Sequence, residues 1–139
     1  MTDRNILIDK TITGIKIASD KKAILFEVEG GEHIAKCDGD CCSSTWVESI
    51  EVPVLGFPAK VISVENLDMP EDQQNGDYDV IAFYGLKITT DKGDIIIDYR
   101  NESNGYYGGN LSWENDQYYY GGVYGQNVST LEWTELKTT

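Results

Sequence analysis

The sequence predicts a mainly β fold: one domain, an antiparallel meander rolled into a β-sandwich or small barrel, with at most one short helix near 44–50. Three observations carry this. Apolar side chains recur at every second residue in several segments. Turn-forming residues separate those segments. The chain has 139 residues, 40% of them hydrophobic, which fits a single domain with a real core.

A strand points successive side chains to opposite faces, so a period of two marks a half-buried strand. Ile24, Phe26 and Val28 alternate with Leu25, Glu27 and Glu29. Ile95, Ile97 and Tyr99 alternate with Ile96, Asp98 and Arg100, and Leu131 and Trp133 with Glu132 and Thr134. The pattern predicts strands near 11–18, 22–29, 32–37, 59–66, 79–90, 94–101, 106–114 and 128–136. Gly30-Gly31, Asp91-Lys92-Gly93-Asp94 and Asn104-Gly105 supply the turns, because tight hairpins need residues that tolerate positive φ. Segments 79–90, 94–101 and 106–114 then read as a meander, since short connections join antiparallel neighbours.

One helix competes with this pattern. Thr45-Trp46-Val47-Glu48 has capping-box spacing, Trp46 and Ile50 would share a helical face, and Pro53 would stop the helix. The rival is an irregular strand. Residues 69–79, polar and acidic with Pro70 and Asn75-Gly76, read as the longest exposed loop. Residues 105–125 are rich in Tyr and Gly but lack the basic residues of an RNA-stacking surface, and 115–139 reads as a Tyr- and Gly-rich C-terminal extension.

The net charge is −13 and the pI about 4.2. That argues against direct binding to nucleic acid, which requires grouped Lys and Arg. It permits a basic protein partner, although acidity also serves solubility alone. No apolar run is long enough to span a bilayer, so no membrane partner is expected. No secretory signal precedes Asp9-Lys10, so a cytoplasmic location is expected. Three clustered cysteines agree with a reducing compartment. Exposed strand edges and the Tyr-rich tail leave oligomeric state open.

The first motif runs from His33 to Trp46 and holds His33, Cys37, Asp38, Asp40, Cys41 and Cys42. Four N and S ligands would suit tetrahedral zinc, but H-x3-C-x3-C-C is not a familiar zinc spacing. Adjacent Cys41 and Cys42 would also face opposite ways on a strand. Alternatively, Cys41 or Cys42 is a nucleophile, with His33 as base and Asp38 or Asp40 to orient it. The simplest reading is structural: buried thiols, turn residues in Asp38-Gly39-Asp40 and caps in Ser43-Ser44-Thr45. It leaves a binding role open for Asp40.

The second motif, Arg100 to Gly109, is a hairpin tip carrying Glu102, Asn104, Tyr106 and Tyr107. Tyrosine couples an apolar ring to a hydroxyl, which suits recognition, and Asn-Gly favours the turn for backbone reasons alone. No P-loop, H-E-x-x-H, G-x-S-x-G or EF-hand pattern is present. No cofactor is expected.

Together, Asp40-Cys41-Cys42-Ser43-Ser44, Phe83-Tyr84-Gly85-Leu86, Lys92-Gly93 and Glu102-Ser103-Asn104-Gly105-Tyr106-Tyr107 resemble a family of small proteins from phage, prophage and bacterial genomes. Its members carry D-C-C-x-S and, about sixty residues later, E-S-N-G-Y-Y. The resemblance covers roughly 11–114 and implies a phage or mobile-element setting, but no activity. The expected function is a non-enzymatic intracellular binding protein. Its forms are an acidic inhibitor of a host defence or nucleic-acid enzyme, a module that sequesters a small molecule, or, outside binding, a cysteine-dependent enzyme. Ligand or partner contact is expected from Asp40, Cys41, Cys42, Glu102, Asn104, Tyr106 and Tyr107.

Overall fold

A computed structural model describes residues 3–39, 43–76, 79–104, 108–113, 118–119, 126–127 and 131–136. A 3-10 turn, η1 (Arg4–Leu7), opens it, capped by the Asp3 carboxylate accepting from the Asn5 N–H at 2.9 Å. Strands follow: β1 (Thr11–Ala18), β2 (Ala23–Val28), β3 (Gly31–Gly39), β4 (Ser44–Glu51), β5 (Ala59–Leu67), β6 (Gln73–Asn75), β7 (Asp79–Thr90) and β8 (Gly93–Ser103). Then come β9 (Gly109–Ser112), β10 (Tyr118–Tyr119), β11 (Gln126–Asn127) and β12 (Trp133–Leu136).

One antiparallel sheet runs in the order β4-β8-β7-β5-β1-β2-β3-β9, and β6 adds to β7. The alternation places Ile12, Ile15, Ile24 and Phe26 from one half of the sheet against Val61, Ile88, Ile95 and Ile97 from the other. All eight are fully buried, so one core lies between the two halves. Glycines make the hairpins where the chain needs positive φ: Gly30 (86°) leads into β3 and Gly93 (121°) into β8.

Residues 44–51 form β4, not a helix. Thr45 and Val47 are both buried and two residues apart, which is a strand period. Glu48, which a capping box would have turned back to the backbone, instead accepts from the Trp46 indole N–H at 2.9 Å. Within residues 69–79, Gln73–Asn75 pairs with the start of β7, so part of the expected loop is strand.

The expected three-strand meander also breaks. β7 and β8 pair along their whole length, from Val80↔Ser103 to Thr90↔Gly93. β9 does not turn back along β8; it pairs with β3, through Gly39↔Gly109 to Lys36↔Ser112. The other edge of β8 belongs to β4.

Among the described residues the ladder does not close into a barrel, yet its end strand β4 reaches the turn between β1 and β2. The Val47 N–H donates to the Lys21 carbonyl at 2.8 Å, and the Lys22 ammonium donates to Ser44 Oγ (2.9 Å) and the Thr45 carbonyl (3.2 Å). This seam is held by isolated hydrogen bonds, largely from side chains. Finally, β1 shares one edge between two strands: Thr11 and Ile12 pair with β5, and Ile15–Ala18 pair with β12. Trp133 and Leu131 thereby cover Ala18 and Ala23, while Leu136 packs on the main core.

Candidate functional site

The two motifs converge. β3 ends at Gly39 and β4 begins at Ser44, β8 ends at Ser103 and β9 begins at Gly109. Pairing ties all four ends together, because Gly39 faces Gly109 and Ser44 faces Glu102. At the centre, the Asn101 amide nitrogen donates to Thr45 Oγ1 at 2.9 Å, and Thr45 Oγ1 donates to the Asp38 carbonyl at 3.0 Å. Thr45 and Asn101 are both fully buried. Asn101 Oδ1 is buried with no hydrogen-bond partner among the described residues.

Two glycines make this closeness sterically accessible. A Cβ on Gly39 would lie 2.8 Å from Ser43 Oγ and 2.9 Å from Thr45 Oγ1, and one on Gly109 would collide with the Thr45 side chain. Next to Gly109, the Tyr84 hydroxyl accepts from its N–H at 3.3 Å. The Tyr84 ring stacks on Tyr99, with centroids 5.1 Å apart. Burial, together with the neighbouring Tyr84 and Cys37, pushes the Tyr99 phenol up to about 12.

Of the expected contact residues, Glu102 is half-buried opposite Ser44, and Asn104 is exposed just past β8. Asp40, Cys41, Cys42, Tyr106 and Tyr107 lie outside the described residues. Cys37 is fully buried in the core, and burial pushes its thiol up to about 12, which disfavours the reactive thiolate there. His33 sits on the same strand, four residues away, about 13 Å along β3. Two ligands of one zinc ion lie within about 4 Å of each other, so His33 and Cys37 do not ligate together. Among the described residues, no group of three or more His, Cys, Asp or Glu is placed to hold a metal. Burial and the Lys10 charge both lower the His33 pKa from its ordinary value.

Beside the convergence lies a cavity of about 370 Å³ that sequence reasoning did not find. Its buried walls are Leu86, Tyr99 and Trp113, with Leu111 half-buried. Its rim is polar: Asp3, Arg4 and Asn5 from η1 and its cap, Asn66 from β5 and Asn110 from β9. Tyr99 links it to the motifs, since Tyr99 lies two residues before Asn101 on β8. Asn110 follows Gly109 directly.

The family model for a domain of unknown function, DUF7448, matches residues 5–113. This chain belongs to that family. The match includes both motifs and every residue lining the cavity except Asp3 and Arg4. It stops at Trp113, before the segment that supplies β12 to the DUF7448 sheet. No curated protein and no solved structure matched the chain.

The charge of this DUF7448 chain is spread. Exposed carboxylates stand at the β2–β3 hairpin (Glu29, Glu32), on β4 and β5 (Glu51, Glu65), at the β7–β8 hairpin (Asp91, Asp94) and on β12 (Glu135). Several cations on the outer face are partnered: Lys87 lies 3.7 Å from Glu65, and Arg100 lies 3.3 Å from Asp98. No helix among the described residues is long and apolar enough to cross a membrane.

Proposed function

We propose that this DUF7448 domain is a non-catalytic binding module that sequesters a small molecule at the end of the sheet where its two motifs meet. The observation that supports it is the cavity of about 370 Å³ placed directly against that convergence. Its volume falls within the range of small-ligand pockets, and its apolar wall with a few polar groups is their usual composition. The buried thiol of Cys37 speaks for binding rather than covalent catalysis at that residue. The setting is the cytoplasm of a bacterial cell or of a phage host.

Native mass spectrometry of protein purified from expressing cells, compared with its denatured mass, tests this reading. An added organic mass that is lost on denaturation, and lost in a Leu111→Trp variant that fills the cavity, is expected. Bare chain mass together with an unshifted melting temperature across a metabolite panel overturns it.

A second reading rests on the net charge of −13: an acidic inhibitor that docks on a basic host protein. The spread of carboxylates makes its field diffuse rather than a single acidic plate. Its test is capture of a partner that weakens steeply as salt rises.

A further inference from the structure

We infer that the DUF7448 cavity selects a small anion, a carboxylate or phosphate on a compact aromatic body, and that Arg4 is the residue that selects it. This rests on the binding reading above and names its ligand class.

The chain carries 24 acidic residues and 11 basic ones. Arg4 makes no ion pair with any described residue, and unlike Lys10, Lys21, Lys60 and Lys92, which make none either, it lines the cavity. Asp3, its nearest carboxylate in sequence, is committed to capping η1 through the Asn5 N–H. Arg4 is held at the cavity rim instead by Asn66, whose Oδ1 accepts from Nη1. A guanidinium has five N–H donors in a rigid fork, so one neutral acceptor leaves the rest for a bidentate anion. Asn66 fixes the fork without neutralising it.

The opposite wall decides the body of the ligand. Leu86, Tyr99 and Trp113 are nearly fully buried, and both rings are already braced from elsewhere. Trp113 stacks on Phe26 at 5.5 Å, and Tyr99 on Tyr84 at 5.1 Å. Braced rings present a pre-formed apolar surface and lose little freedom when a ligand arrives. Arg4 and Tyr99 line the same cavity, so the cation and the aromatic wall border one small space. Asn5 and Asn110 add amides, which donate and accept, at the rim.

The test is a backbone-amide NMR titration of the whole chain with matched probes: benzoate against benzamide, and phenyl phosphate against phenol. Both anions are expected to shift Arg4, Leu86 and Leu111, and Arg4→Gln to weaken them about tenfold or more, while the neutral probes change little. Arg4→Lys, which keeps the charge but loses the fork, is expected to fall between. Binding by only one of the two anions identifies the group that the fork accepts. Neutral probes that bind as tightly as anions overturn the ligand class and leave the binding module standing. Unshifted cavity amides with all four probes overturn the class and the cavity together. Circular dichroism of both variants separates lost affinity from lost fold.

Discussion

The Asn101 amide donates to the Thr45 hydroxyl at 2.9 Å, joining residues 56 positions apart at the point where β4, β8 and the ends of β3 and β9 meet. Thr45 passes the link on to the Asp38 carbonyl. Thr45 and Asn101 are fully buried, so water cannot replace a partner lost from the bond between them.

Thr45→Val keeps the shape and removes the hydroxyl. It leaves a buried amide donor and a carbonyl unpaired. A loss of about 2–3 kcal/mol is expected in urea unfolding. An unchanged midpoint would show that the relay contributes nothing.

Gly109→Ala forces a methyl group against the Thr45 side chain and Asn101 Cβ. Overpacking of this kind costs about 1–3 kcal/mol. Gly31→Ala is the control, since nothing lies within 4 Å of its added Cβ. It should stay within about 0.5 kcal/mol of the parent. Equal melting temperatures for the two variants would remove the steric argument.

Cys37 should resist alkylation. Burial pushes its thiol up to about 12, and the thiolate is the reactive form. Iodoacetamide at pH 8 followed by peptide mass mapping should leave Cys37 unmodified in folded protein and modify it in urea. Modification of Cys37 in folded protein, at its rate in urea, would contradict its placement in the core.

Tyr99 gives a pH dependence with a definite sign. Its folded pKa of about 12 lies above the ordinary 10.0, so the folded state holds this proton more tightly than the unfolded state. Its contribution is complete below pH 10 and is lost as pH rises through about 12. Stability should therefore fall across that window, and Tyr99→Phe should flatten the fall. The same alkaline slope in parent and variant would assign the loss to other groups.

The β1 edge is covered along Ile15–Ala18 by β12. A chain ending at residue 130 lacks the strand that pairs with Ile15–Ala18. An open edge templates pairing with another chain. Sedimentation velocity should show concentration-dependent association that the full chain does not share. A monomer at all concentrations would show that the edge is protected by other means.

Much of the sheet was legible because alternation is a local signal. The bounds of β1, β5 and β7 follow from it to within a residue. β4 was not legible, because Thr45 and Glu48 satisfy a helix-capping spacing that only tertiary contacts could overrule. The pairing of β9 with β3 was hidden for a similar reason. A short Asn-Gly connection permits a hairpin, and only the long-range pairing of β9 with β3 overrules it. The convergence of the two motifs beside the cavity came from pairing, not from their sequence. Arg4, Asn66, Tyr99 and Trp113 carried no mark, since each is ordinary in its own segment and gains meaning only when the sheet brings them round one space.

The division of the β1 edge bears on biosynthesis. β1 leaves the ribosome before every other strand described, and β12 after every other. Residues Ile15–Ala18 therefore wait for all the strands between them before their last neighbour arrives. Pairings of such long sequence separation are slow to form, and an unfilled edge is aggregation-prone while it waits. Nascent DUF7448 chains of this type should depend on a holding chaperone most strongly just before residues 133–136 emerge.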